Sequence, residues 1–326
     1  MMRIPPINDF ADALASGGFE RFATLRGFGV VCRDGRPAIS RTSLFAEARI
    51  VSEGALWLLC LPVRHDSMKI ISPALHLLRR LSSCAFTEYR VLHDEFLFTD
   101  ARGTKCRCDL LLHRMPEGQT LDKAVWEVET GRLRAALELL RNEFRAAGVH
   151  HRNLKPSNVI WCSDERMRTV RYHYLAADEG GHAADREFDA VAGFIDSFPE
   201  MVGKDEAVPP RPYECLSPAG FDRVWPLRDM MCMVSRGNLY GYIDCDGRTV
   251  IEPQFTYAED FCENRAVVEV ERGRMGVIDR FGNYVLPPEY EMIGWLDDGC
   301  FDVRLGDRRG VFGYMGEVVV PLEKKR

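Results

Sequence analysis

The sequence predicts an α+β protein in two parts: a mixed helix-and-strand body over residues 20–198 and an all-β array of short antiparallel strands over 217–326. Three observations predict it. Leu133, Leu137, Leu140 and Phe144 recur at spacings of four, three and four, which places them on one face of an amphipathic helix. Gly241-Tyr242-Ile243-Asp244, Gly276-Val277-Ile278-Asp279 and Gly310-Val311-Phe312-Gly313 start 35 and 34 residues apart, a repeat of strand-forming residues. Between the two patterns, Pro209, Pro210, Pro212 and Pro218 mark a breaker-rich stretch, so residues 199–216 read as a linker.

Composition sets the class. The chain has 326 residues, 46% apolar and 28% charged, the balance of an ordinary globular protein of roughly two domains. Its opening, Met1-Met2-Arg3-Ile4-Pro5-Pro6, lacks the apolar core of a signal peptide, and the apolar run from Ala55 to Leu61 is too short to cross a bilayer. Eleven scattered cysteines form no C-x-x-C pair, the usage of reduced thiols in the cytoplasm. The net charge of −6 argues against a nucleic-acid partner, and residues 217–326 carry 14 basic and 19 acidic side chains, a net of −5. A membrane partner is not expected either.

Residues 1–19 read as a leader with a short helix. From Arg21 to Val63 apolar runs alternate with turns: Gly29-Val30-Val31-Cys32, the turn Arg33-Asp34-Gly35-Arg36, then Leu56 to Leu61, which together suit a small antiparallel sheet. Gly27-Phe28-Gly29 reads as a turn, because a lone G-x-G is a weak phosphate signal. A helix is expected over Pro73–Leu81, then strands over Thr87–Phe98 and Lys105–Arg114. Cys106 and Cys108 alternate on the latter and share a face as small buried hydrophobes. Thr120 or Asp122 can cap the next helix. The long helix around Leu133–Phe144 stops at Gly148. Val159-Ile160-Trp161 begins a hairpin whose second strand is expected over Thr169–Leu175, a polar loop follows over 178–187, and a last helix runs over Phe188–Phe198.

Each repeat contains an apolar strand (Met231–Val234, Ala266–Val270, Cys300–Val303), the glycine-led strand, a turn glycine (Gly247, Gly282, Gly316) and a third strand ending in proline. Three strands per unit are expected, with units at about 217–255, 256–290 and 291–326, each burying a face on the next. The pattern resembles WG repeats, although Tyr240, Met275 and Arg309 stand where that family has tryptophan.

The residues richest in chemistry lie between the long helix and the hairpin. His151-Arg152-Asn153-Leu154-Lys155-Pro156-Ser157-Asn158 resembles the catalytic loop of protein kinases, H-R-D-L-K-P-x-N, at seven of eight positions. The resemblance implies a truncated, two-lobed kinase-like domain over 20–198, in which Lys155 would screen phosphate and Asn158 would hold magnesium. The mismatch falls on the base: Asn153 replaces the aspartate, and a carboxamide does not accept a proton near neutral pH. The strand Leu58-Leu59-Cys60-Leu61-Pro62 has no lysine and the following helix no glutamate, so both halves of the nucleotide-gripping ion pair are missing.

For the family's metal aspartate, Asp178-Glu179-Gly180 is one candidate. The other alignment puts Arg171-Tyr172-His173-Tyr174 at the strand end and leaves no metal ligand. His150, His173 and His182 have no partners at ligand spacing, so no metal site is expected. The expected function is a non-catalytic, pseudokinase-type scaffold that binds an unidentified protein through its repeats, without a cofactor. The alternative retains Mg-ATP on Lys155, Asn158 and Asp178; an atypical phosphotransferase is the remotest reading.

Overall fold

The computed structural model describes residues 4–16, 19–198, 220–244, 247–296 and 298–324. The linker expected over 199–216 lies outside the described residues. None of the described helices is long and apolar enough to cross a membrane.

Within the stretch expected as a leader, residues 7–15 form a helix that packs on the body. Helix α1 (Ile7–Ala15) buries Phe10, Ala13 and Leu14 completely or nearly so, against a cluster that includes Phe22, Phe96 and Leu110. An amphipathic helix this short is stable only through such packing. β1 (Gly29–Val30) precedes a small hairpin of β2 (Cys32–Arg33) and β3 (Arg36–Pro37), turned by Asp34 and Gly35 as the sequence predicts. β4 (Ile39–Arg41), β5 (Phe45–Ser52) and β6 (Ala55–Pro62) follow.

Helix α2 (Ser67–Leu78) begins six residues before the expected Pro73, which sits inside it. The proline forfeits one helical hydrogen bond. The burial of Ile71 and Ala74 and the bond from Ser67 Oγ to Leu44 O (2.6 Å) hold the helix nonetheless. β7 (Tyr89–Thr99) and β8 (Lys105–Arg114) complete an antiparallel sheet in the order β1-β5-β6-β8-β7, with β4 also on β5. Its two faces feed different clusters, because alternate residues along β5 and β6 point to opposite sides.

Past Met115 the chain forms β9 (Gly118–Thr120), the short α3 (Leu121–Ala124) and α4 (Thr130–Ala147). Leu133, Leu137, Leu140 and Phe144 on α4 are all buried, as their spacing predicts. Gly148 ends the helix in the left-handed region (φ 63°), where a side chain would be strained. β10 (Val149–His150) pairs with β13 (Ala176–Ala177), while β11 (Val159–Cys162) lies between β9 and β12 (Met167–Thr169).

The second hairpin strand stops at Thr169, six residues earlier than the sequence suggests. Arg171 turns into the left-handed region (φ 61°), and Tyr172–Tyr174 coil into a 3-10 turn that buries all three rings. Helix α5 (Ala183–Asp196) starts before the expected Phe188 because the Asp178 carboxylate accepts the amides of Ala183 and Ala184 in its first turn.

The C-terminal region is three four-stranded antiparallel sheets, one strand per unit more than expected. They are β14–β17 (Arg223–Val224, Met231–Arg236, Leu239–Asp244, Thr249–Phe255), β18–β21 (Tyr257–Ala258, Arg265–Glu271, Arg274–Asp279, Tyr284–Tyr290) and β22–β25 (Met292–Trp295, Phe301–Leu305, Arg308–Phe312, Val318–Lys324). The additional strands β14, β18 and β22 have two to four residues, too short for an alternation to register in the sequence. Neighbouring sheets share cores: Ala266 and Val268 of β19 pack toward the first sheet with Tyr242 and Phe255, and Val267 packs toward the third with Phe301.

The third sheet also packs on the body. Cys300, Val311 and Val320 join Leu44, Phe45, Leu58, Leu111 and Tyr174 in one buried cluster.

Candidate functional site

The loop between β10 and β11 is where sequence and structure meet most closely. Its shape follows from three residues: Gly148 ends α4, Arg152 takes a left-handed conformation (φ 62°), and Pro156 opens a 3-10 turn running to Asn158. The path leaves His151, Asn153, Lys155 and Asn158 almost fully buried and Arg152 half-buried. Buried polar groups must find partners. Those partners show what the loop does.

His151 donates its backbone amide to Glu187 Oε2 (2.8 Å), and its Nε2 donates to Val170 O (2.9 Å), tying the loop to α5 and to the end of the hairpin. Burial holds the His151 imidazole down at about 4, so it is neutral near pH 7. Asn153 donates Nδ2 to the backbone carbonyl of Asp298 in the third sheet (2.9 Å). Lys155, 3% exposed, donates Nζ to Glu263 Oε2 of the second sheet (2.6 Å). Arg152 lies close enough to Glu187 and Glu317 to draw both carboxyls down against burial, which nevertheless pushes them up to about 8 and about 7. Two of the five loop residues thus bond to the repeats, and Arg152 attracts a third repeat residue.

Asn158 is bonded within the body. Its Nδ2 donates to Asn153 O (2.8 Å), and its Oδ1 accepts from Nη1 of Arg171 (3.1 Å). The same guanidinium donates Nε to Glu47 Oε2 on β5 (3.0 Å), forming a buried ion pair. The Glu47 charge raises the Arg171 guanidinium, while burial raises the Glu47 carboxyl despite its partner. Arg171 therefore delivers positive charge to the carboxamide oxygen of Asn158. Asp178 is not gathered with Lys155 and Asn158: its carboxylate serves the start of α5, and its amide bonds Gly148 O (2.9 Å).

The residues that organise the junction escaped the sequence reading. Asp298, fully buried, accepts from Ser43 N (3.1 Å), Ser43 Oγ (2.6 Å), Tyr174 OH (3.4 Å) and Cys300 N (3.2 Å). One carboxylate thus joins the N-terminal sheet, the 3-10 turn and the third repeat. Gly299 beside it is at φ 79°, and a Cβ there would lie 2.7 Å from the Lys155 side chain. The sequence Asp298-Gly299 was the available signal, but nothing local distinguishes it from an exposed turn.

One group of side chains with metal-ligand chemistry lies together in space although no spacing in the sequence links it. A carboxylate oxygen of Glu47, Sγ of Cys60 and a ring nitrogen of His173 lie within 4.8 Å of one another, all buried. They are 13 and 113 residues apart in the chain, so spacing rules could not find them.

The repeat glycines have a shared geometry. A Cβ on Gly241, Gly276 or Gly310 would stand 2.4, 2.8 or 2.8 Å from the carbonyl oxygen of Ile251, Leu286 or Val320, on the neighbouring strand. The register shifts at these points, so the next strand bulges across the glycine and leaves no room for a side chain. Residues 240–272 and 275–308 match the family model for the WG containing repeat. Tyr240 and Met275 stand at the positions where that family has tryptophan, and Arg309 at the corresponding place in the third sheet, outside the match; Tyr240 keeps an aromatic contact with Trp225 (5.7 Å). Comparison with curated proteins finds no match.

Proposed function

We propose that the chain is a non-catalytic, kinase-like binding protein whose WG repeats serve protein interaction. The kinase-like reading of 20–198 draws support from the strand order β1-β5-β6-β8-β7 with α2 between β6 and β7 in the chain, followed by a long helix, the polar loop and a hairpin. The observation that carries the non-catalytic reading is the Arg171 guanidinium on Asn158 Oδ1. In the resemblance Asn158 would hold magnesium, and a fixed cation beside its oxygen opposes a second one. Lys155 is likewise committed to Glu263, and Asn153 offers no base.

Binding then falls to the repeats. Their described surface presents large apolar side chains, with Phe281 70% exposed and Tyr257, Tyr284 and Met292 also exposed. Exposed aromatics of this kind are common anchors of protein interfaces.

A thermal-shift titration of the full chain with Mg-ATP tests the reading, and no shift is expected. Ligand at 100 times its dissociation constant would add roughly 2.7 kcal/mol, readily seen as a rise in Tm. A magnesium-dependent rise abolished by Asn158→Ala would overturn the proposal in favour of a nucleotide-binding pseudokinase.

A further inference from the structure

The Glu47, Cys60 and His173 cluster lies next to the loop contacts and joins them only through the Glu47–Arg171 pair. Glu47 and Cys60 project from the paired strands β5 and β6, where they are direct cross-strand neighbours. His173 comes from the 3-10 turn after the hairpin. All three are at most 2% exposed. Glu47 uses Oε2 for Arg171, while its Oε1 has no hydrogen-bond partner among the described residues, and neither does His173 Nε2. The Cys60 thiol makes only a long contact to Leu58 O (3.9 Å). Tyr89 adds a buried hydroxyl, also without a partner among the described residues, close enough to feel the Cys60 and Glu47 charges. The triad thus converges on one buried spot, with Glu47 and His173 each keeping an atom unmatched among the described residues, as does Tyr89 nearby. Leaving such groups unmatched in the interior is unfavourable.

We propose that Glu47, Cys60 and His173 bind a structural zinc ion, with the Tyr89 hydroxyl as the neighbouring oxygen. Thiolate, imidazole and carboxylate together are a zinc-type donor set. Donors around tetrahedral zinc stand about 3.3–3.8 Å apart, given metal–ligand distances near 2.0–2.3 Å. A triad already within 4.8 Å closes to that spacing by side-chain adjustment alone. Charge also balances. On binding, Cys60 loses its proton, and the thiolate and the Glu47 carboxylate neutralise the dication. Arg171 remains on the opposite carboxylate oxygen, with Asp298 as a nearby compensating charge. The ion would clamp the sheet to the 172–174 turn, fixing Tyr174 where it meets Asp298.

The test uses the full chain with Cys32, Cys84 and Cys262, and also Cys215 and Cys245, replaced by serine, so that these thiols contribute no signal. After stripping with a chelator and reloading, metal analysis should find one zinc per chain, falling to background in Cys60→Ser and in His173→Gln. Cobalt(II) loading should give a thiolate-to-cobalt charge-transfer band that Cys60→Ser abolishes. If those variants fail to fold, the cobalt spectrum of the parent decides, because of the thiols left (Cys60, Cys106, Cys108, Cys162, Cys232 and Cys300) Cys60 alone, among the described residues, has an imidazole and a carboxylate grouped with it. A cobalt spectrum with thiolate and imidazole donors supports the site. No zinc above background with no cobalt band overturns it. Zinc retained undiminished in folded Cys60→Ser and His173→Gln also overturns it.

Discussion

The N-terminal body and the repeat array solve the same problem, the burial of a sheet face, in opposite ways. In the array neighbouring sheets bury faces on one another, and the glycines at 241, 276 and 310 answer one recurring steric demand. In the body the decisive contacts occur once each and join distant residues: Glu47 with Arg171, His151 with Glu187, Asp298 with Ser43 and Tyr174. Repetition makes an array tolerant, because each unit's stability adds to its neighbours'. A network of single polar contacts concentrates its energy in a few atoms. Mutations in the two regions should therefore differ in size and in reach.

The largest effect is expected where the regions meet. Asp298→Ala removes the acceptor for two Ser43 groups and the Tyr174 hydroxyl, all buried. The loss should be about 3 kcal/mol or more, measured by urea denaturation. It should also disturb the loop, since Asn153 bonds the carbonyl of the same residue. If the array and the body were energetically separate, only one of two unfolding transitions would move. A single transition shifted as a whole is the expected outcome.

A smaller loss is expected inside the array. Gly276→Ala places a methyl 2.8 Å from Leu286 O and 3.1 Å from Pro288, both backbone, so the bulge must shift. About 2 kcal/mol is expected, read by the same denaturation. Amide exchange should quicken in β20 and β21 and stay unchanged in α4. Faster exchange in α4 as well would show that the array does not confine damage to its own units.

The same contrast explains what could be read in the sequence. The periodicity of Leu133 to Phe144 and the stop at Gly148 gave α4 because a helix is a local object with a 3.6-residue period. The repeats were legible from identical glycines at nearly constant spacing, down to unit boundaries within a few residues of the sheets. The short strands β14, β18 and β22 were not, because two to four residues carry no period. Arg171 was noted only as the end of a strand. Its left-handed turn and its bonds to Glu47 and Asn158 depend on a residue 124 positions away, which no local pattern encodes. The five loop residues stand out in the sequence by their motif, yet their partners Glu263, Asp298 and Glu187 lie in other elements and were invisible for the same reason.

The smallest effect should be a gain, and it isolates one buried charge of the body. Glu187 is 3% exposed, and burial raises its carboxyl from 4.5 to about 8, with Glu317 nearby adding to the rise. A raised carboxyl favours the proton in the folded chain, so between pH 4.5 and about 8 folding takes up a proton and stability falls as pH rises. Above about 8 the folded state carries the charge and bears the whole cost; below 4.5 both states are protonated and the cost disappears. Glu187→Gln keeps an oxygen to accept the His151 amide but never ionises. The variant should be more stable than the parent by about 1–2 kcal/mol at pH 8.5, a fraction of the full shift because the new amide leaves its own polar atoms buried. The difference should shrink steadily toward pH 4.5. Denaturation midpoints across that range measure it. A gap that stays constant with pH would mean that Glu187 is neutralised in the folded chain by Arg152, the cation nearest to it in the loop.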